Sequence, residues 1–333
     1  MGSHFARGSL VGAGAFLALA AACKDSSSPT ACADCDLRPA PSVCNGRTEL
    51  CARAYDAVAF PGTHDAYSNV AQRFVAPDQS YPVARQLDDG VRVLHLEIKT
   101  FQDDAYLCHG PCEFGSTLLV EVLTAVSSFT ASRPDEVVTL LMESNDVTTD
   151  LIGAAAAKSG ILPALHVQSR GDGWPTLGAM IQSRKRVVVF NADFTMTGGA
   201  SYPWLHDRFA WTWETPWDNA SPQDFSRCAA DRGTMDNGLY VVDTYREDQL
   251  IPTLAQAVPV NTNPFLLQRI LRCQKTTGRL PNFVMVNYYE VGDLFHDVDV
   301  LNGFAVALDA DAASFPPITS WSDGGGAAND AQR

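Results

Sequence analysis

The sequence predicts an α/β barrel of parallel strands, on two observations. Apolar, β-rich runs recur at 57–60, 91–98, 105–108, 137–142, 187–191, 239–243 and 283–287, with a weaker one at 209–213. Helical or loop stretches separate them, the alternation of a parallel α/β sheet. Seven or eight such runs in about 250 residues suit a closed barrel better than an open sheet. The second observation is where the polar residues fall: several runs end at a turn that presents a His or a carboxylate, as a barrel does when it builds a site at the C-terminal ends of its strands.

The elements follow in order. Residues 1–22 carry Arg7 and then an apolar stretch rich in Ala and Gly, Leu10 to Ala22, which is short for a membrane span and reads as an export leader. It ends Leu19-Ala20-Ala21-Ala22-Cys23 before a polar Ser-rich linker. This resembles a bacterial lipoprotein signal and implies a lipid on Cys23; the alternative is an ordinary secretory leader cut nearby. Residues 23–53 are a linker and a Cys-rich cap, 54–305 the barrel, and 306–333 a C-terminal extension with a Gly-rich tail. Helices are expected around 117–131, 149–159 and 264–274. Apart from Cys23, eight cysteines remain, an even number that in an exported chain suggests disulfides. Cys44 with Cys51, and Cys108 with Cys112, are close enough in sequence to pair. Cys32 and Cys35 form a lone CxxC with no second half for a zinc site. The net charge of -14 leaves no basic stripe for nucleic acid and no charge-driven docking on anionic membranes.

Four strands deliver candidate chemistry. In the first, Pro61-Gly62 stops the apolar run Ala57–Phe60 and leads to His64 and Asp65. In the second, period-two alternation puts His95, Glu97 and Lys99 on one face. The third ends at His109 in a Gly-Pro turn, and the fourth at Glu143. Histidines and carboxylates on one rim suit general acid–base catalysis, with carboxylates to hold a metal. Asp243 closes a later apolar run and is a further rim candidate. His166, His206 and His296 sit in loop-like surroundings and are expected to be solvated. Trp204, Trp211, Trp213 and Trp217 are expected to pack between barrel and loops.

Pro61-Gly62-Thr63-His64-Asp65, Gly90-Val91-Arg92-Val93-Leu94 and Leu107-Cys108-His109-Gly110 together resemble the catalytic X region of phosphatidylinositol-specific phospholipases C. The secreted or anchored single-domain members from plants, fungi and bacteria are the nearer likeness. The run Arg133 to Glu143, the pair Gly173–Leu177 and Arg186–Phe190, and Leu280–Val286 match further landmarks, so the resemblance covers about 55–305. It implies a distorted TIM-type (β/α)8 barrel and cleavage of a phosphodiester at phosphorus. By that likeness His64 is the general base, His109 the general acid, and Asn287 the residue that orients the base. Asp65, Glu97 and Glu143 then hold Ca²⁺, with His95 where animal members carry an acidic ligand and Lys99 as a rival source of positive charge. The implied partners are a phosphatidylinositol-type lipid and a membrane surface reached through the anchor, with the protein acting as a monomer. Two rivals are a phosphodiesterase for glycerophosphodiester or sphingolipid head groups, and a degenerate barrel that binds inositol lipids or glycans without turnover.

Overall fold

Alternation along the strands decides this fold, because each strand has one face toward a barrel interior and one toward surrounding helices. The computed structural model describes Gly2, residues 39–192 and residues 201–307. The expected leader, Cys23, Cys32, Cys35 and the tail beyond residue 307 lie outside the described residues. The chain clusters into two units, Met1–Asp36 and Leu37–Arg333, and the elements below belong to the second.

In chain order these are β1 (Phe60–Thr63), α1 (Val83–Asp89), β2 (Val93–Phe101), β3 (Asp104–Leu107), β4 (Thr117–Leu118), α2 (Leu119–Ser132) and β5 (Val138–Asn145). Next come α3 (Thr149–Ser159), α4 (Leu177–Gln182), β6 (Val187–Ala192), β7 (Leu205–Asp207), α5 (Arg208–Trp211), β8 (Thr212–Glu214) and β9 (Arg232–Gly233). Last are β10 (Leu239–Asp243), α6 (Leu254–Asn261), α7 (Phe265–Thr277), β11 (Phe283–Val286) and α8 (Leu294–Leu301). Eight strands lie in the order β7-β6-β5-β2-β1-β11-β10-β8, and each neighbouring pair is parallel. The first and last barrel strands pair, so the sheet curls round on itself there. Among the described residues no ladder joins β7 to β8. This opening is the distortion of the TIM-type barrel.

Interior-facing residues Phe60, Val93, Leu141, Val188, Phe190, Leu239, Val241, Phe283 and Met285 form one apolar cluster. Residues one step along, such as Leu94, Leu140, Val189, Val242 and Val284, join the larger cluster under the helices. The interior is apolar toward the N-terminal ends of the strands. Two residues further along, the same inward register brings His95 and Glu97, Glu143, Asp243 and Asn287. A plug of packed side chains thus floors a charged mouth.

The cap closes the floor. Cys44 and Cys51 are bridged, and Cys44, Leu50 and Tyr55 bury themselves in the interior cluster. The expected Cys108–Cys112 bridge is also present, and Cys228–Cys273 is a third.

Several expectations need correction. Pro61 and Gly62 do not end the first strand but lie inside it. Pro61 lacks an N–H but still accepts from Arg92 N through its carbonyl, and a Cβ on Gly62 would meet Met285 Sδ at 2.5 Å. The run at 105–108 is an antiparallel partner of β2, not a barrel stave. The weak run at 209–213 is mostly the short helix α5, with strand only from Thr212, and β7 lay outside every predicted run. His166 and His206 are buried, not solvated. The Nδ1 of His206 donates to Val189 O at 2.8 Å and its Nε2 accepts from Gln168 N at 3.0 Å. Trp213 is wholly buried while Trp217 is exposed.

Candidate active site

The turn after β1 fixes the first histidine. Asp65 has φ 39°, a left-handed conformation uncommon outside glycine. That turn sets His64 and Asp65 side by side. Gln79 Nε2 donates to His64 O at 2.8 Å and Val286 O at 3.1 Å, tying the ends of β1 and β11. His64 lies flat on Tyr245, with ring centroids 3.8 Å apart. Its Nδ1 is 3.0 Å from Asn287 Oδ1, which leaves Nε2 facing Asp65 Oδ2 at 3.8 Å.

The second histidine is held from outside the barrel. His109 sits inside the small ring closed by Cys108–Cys112. Its Nδ1 is 2.7 Å from Ala76 O and 3.0 Å from Asp78 Oδ2, and its Nε2 is 3.9 Å from Asp65 Oδ2. Burial opposes a charge on this ring, but Asp78, Asp65 and the Ala76 carbonyl outweigh it and lift the imidazole to about 10. His109 is therefore an imidazolium at neutral pH. Both histidines are anchored by Nδ1 and turn Nε2 toward the same carboxylate oxygen.

His95 stacks beside His64, with ring centroids 5.2 Å apart, and bridges Asp65 Oδ1 at 3.0 Å and Glu143 Oε2 at 3.4 Å. Burial would discharge it, yet these carboxylates raise it to about 9. Asp65 is itself buried. The imidazoles of His64, His95 and His109 more than cancel that burial and hold its carboxyl well below the usual range. Glu97 and Glu143 are register partners on adjacent strands, a like-charge pair whose members are neutralised by different cations. Lys99 Nζ is 3.0 Å from Glu97 Oε1 and donates to Gly110 O at 2.9 Å. Arg232 Nη1 is 2.8 Å, and Arg208 Nη1 3.6 Å, from Glu143. Both arginines also pair with buried Glu214. Burial and Glu214 push the neighbouring Asp243 up to about 6.

The PI-PLC X 1 family model matches residues 50–302. The chain belongs to the PI-PLC X family. A PI-PLC X domain-containing protein 1 from Arthroderma benhamiae is 28% identical over 285 residues, 78% of this chain and 90% of that one. An uncharacterized secreted protein of the same fungus is 28% identical over 274 residues, 75% and 61% of the two chains. The PI-PLC X domain-containing protein At5g67130 of Arabidopsis thaliana is 26% identical over 266 residues, 72% and 61%. The chain thus spans about 61% of the length of these last two relatives. The fold is similar to phosphatidylinositol-specific phospholipase C from Listeria monocytogenes, with TM-score 0.52 and 15% identity, covering 78% of this chain and 98% of that one. It is also similar to a pentafluoro-Phe form of the Staphylococcus aureus enzyme, with TM-score 0.50 and 15% identity over 74% and 92% of the two chains. The PI-PLC X barrel is accordingly a phospholipase C-like phosphodiesterase fold.

Within this PI-PLC X barrel, His64, Asp65, His95, His109 and Asn287 come together, while Glu97 and Glu143 flank them with their own cations. Sequence reasoning missed Asp78, Arg208, Glu214, Arg232 and Tyr245. Asp78 lies in the long β1–α1 loop, where no periodicity marks a position. Arg208, Glu214 and Arg232 lie on elements of two to four residues, too short for a pattern.

The expected calcium ligands do not gather as one group. Among the described residues, the trios whose ligand atoms approach one another are His64, Asp65 and His95, and Asp65, Asp78 and His109. Calcium takes six to eight oxygens, and these trios mix imidazole with few carboxylates. A calcium ion on Asp65, Glu97 and Glu143 would have to displace Lys99 from one carboxylate and Arg232 from another. The donor set does not fit that ion.

Proposed function

We propose that the protein cleaves phosphatidylinositol-type lipids by paired histidine catalysis. The observation that carries the proposal is the common geometry of His64 and His109, each fixed at Nδ1 with Nε2 facing Asp65 Oδ2. His64 Nε2 takes the proton of the inositol hydroxyl next to the phosphate, and that oxygen attacks phosphorus. His109, already protonated, gives its proton to the departing diacylglycerol oxygen. Diacylglycerol and a cyclic inositol phosphate result, and water then opens the ring. Each positioned acid or base contributes ~10²–10⁴-fold.

Charge building on the phosphoryl oxygens needs a positive partner. Arg232 and Lys99 keep part of their side chains exposed beside the histidines, and His95 adds a third cation. Fixed cations therefore replace the metal in this reading. Asp243, Glu143 and Arg232, beside the His64–Tyr245 stack, suit a ring carrying many hydroxyls, which favours an inositol head group over choline. Apolar side chains exposed near the mouth support a substrate met at a lipid surface: Val75, Phe114, Ile251 and above all Leu250, 92% exposed. Export is supported by the leader-like residues 1–22 and by the secreted relative, and anchoring rests on Cys23.

Vesicles of phosphatidylinositol, phosphatidylcholine or sphingomyelin, and soluble glycerophosphodiesters, test this in excess chelator. Release of inositol phosphate from phosphatidylinositol alone is expected. Strict dependence on added Ca²⁺ would restore the metal reading, and turnover only of another head group would refute the substrate.

A further inference from the structure

Asp78 is a fully buried carboxylate held in place by the backbone on both sides. Its N–H donates to Ser68 O at 3.0 Å, and Tyr288 N donates to its carbonyl at 2.8 Å. Its Oδ1 accepts from Asn287 Nδ2 at 3.0 Å, and Asn287 Oδ1 in turn faces His64 Nδ1 at 3.0 Å. Its Oδ2 is 3.0 Å from His109 Nδ1. We propose that Asp78 is a shared positioning residue, one buried carboxylate that sets the tautomer of the base through Asn287 and holds the imidazolium of the acid in place directly.

The hydrogen-bond directions follow from chemistry. Burial raises the Asp78 carboxyl while the facing imidazoles of His109 and His64 oppose that rise; as a carboxylate it only accepts, so Asn287 offers it the NH₂ group and keeps its oxygen for His64. An amide oxygen also only accepts, so His64 Nδ1 carries the hydrogen and Nε2 is left with its lone pair. That is the tautomer a general base needs. On the other arm His109 Nδ1 donates to Ala76 O at 2.7 Å, so that nitrogen carries its hydrogen too, and Asp78 Oδ2 lies 3.0 Å away as the ionic partner of the ring. The base and the acid are thus set by one group instead of by separate partners. The other titratable groups facing Asp78 are Asp65 beside His64, Tyr67 in the same loop, Glu247 after β10 and Tyr288 after β11.

This inference rests on the assignment of His64 and His109 but has a readout that does not need turnover. Nitrogen-15 NMR of the imidazoles in the full-length protein reports which ring nitrogen carries hydrogen, with resonances assigned by His64→Gln and His109→Gln. In Asp78→Asn, nearly the same size, the carboxylamide can present its own NH₂ to Asn287, which then has no reason to keep its oxygen toward His64. The His64 pattern is expected to move away from hydrogen on Nδ1, and the His109 signals to shift with it. Turnover of phosphatidylinositol should fall at least ~100-fold with KM changed less than ~3-fold. Asn287→Ala cuts only one arm, so it should alter His64 and leave His109 as in the wild type. Wild-type imidazole patterns in folded Asp78→Asn would overturn the proposal, as would Asn287→Ala disturbing both rings or neither. If the patterns move as expected while the wild type turns over no phosphodiester, the bridge stands and the functional reading falls.

Discussion

At the scale of single residues, His64 and His109 differ in the groups that hold them at Nδ1. His64 Nδ1 meets the neutral amide of Asn287 while its ring lies on the Tyr245 face, whereas His109 Nδ1 meets the Ala76 carbonyl and the Asp78 carboxylate; both share Asp65 at Nε2. His64→Ala and His109→Ala should each lower kcat by at least ~100-fold while circular dichroism stays unchanged; a wild-type rate in either would remove that histidine from the mechanism. Because the acid titrates at about 10, the alkaline fall in kcat/KM should come near that pH and not near the ordinary histidine value of ~6.5. Both histidines were legible in the sequence, because each comes within two residues of the end of a strand. Asp78 was not. Its position is fixed by contacts with Ser68 and Tyr288, the latter more than two hundred residues away in the chain, and no local pattern records such contacts.

At the scale of elements, strands with clear alternation were read well: the bounds of β10 match, and β5 and β6 differ only at their ends. The misreadings cluster where elements are short. The antiparallel β8–β9 pair is the clearest case, since it carries Glu214 and Arg232 on strands of three and two residues. The pairing depends on Gly233, which sits opposite Trp213, has φ 74° and would place a Cβ 2.3 Å from Thr212 O. Gly233→Ala should therefore destabilise the fold by ~1–3 kcal/mol and weaken activity by shifting Arg232. Gly238→Ala, with nothing within 4 Å of the added carbon, is the control and should be near neutral in thermal melts. The Cys228–Cys273 bridge closes a loop of 45 residues. Replacing both cysteines by serine should cost ~2–4 kcal/mol in denaturant unfolding, and an unchanged midpoint would show that packing alone holds this segment.

At the scale of the whole molecule, the barrel separates an apolar floor from a charged mouth, and stability should depend on pH through that mouth. His95 and His109 have folded values of about 9 and 10, raised above ~6.5 for the unfolded chain. Their contribution is fully present below pH ~6.5 and is lost as pH rises through the folded values. The melting temperature should therefore fall between pH 7 and 10, and fall less in His109→Gln; equal slopes would mean that His109 gains nothing from its carboxylates. Leu250→Asp, at the exposed rim, should slow cleavage of lipid vesicles but not of a water-soluble inositol phosphodiester, and equal loss on both would remove the rim from lipid contact. The central claim is phosphodiester cleavage by internal attack, with fixed cations and two histidines doing the chemistry. Phosphorus NMR of phosphatidylinositol with purified protein in excess chelator tests it most directly. The resonance of a cyclic inositol phosphate should appear first and give way slowly to the monophosphate. Phosphatidic acid as product, a monophosphate formed with no cyclic intermediate, or an unchanged lipid signal would contradict it.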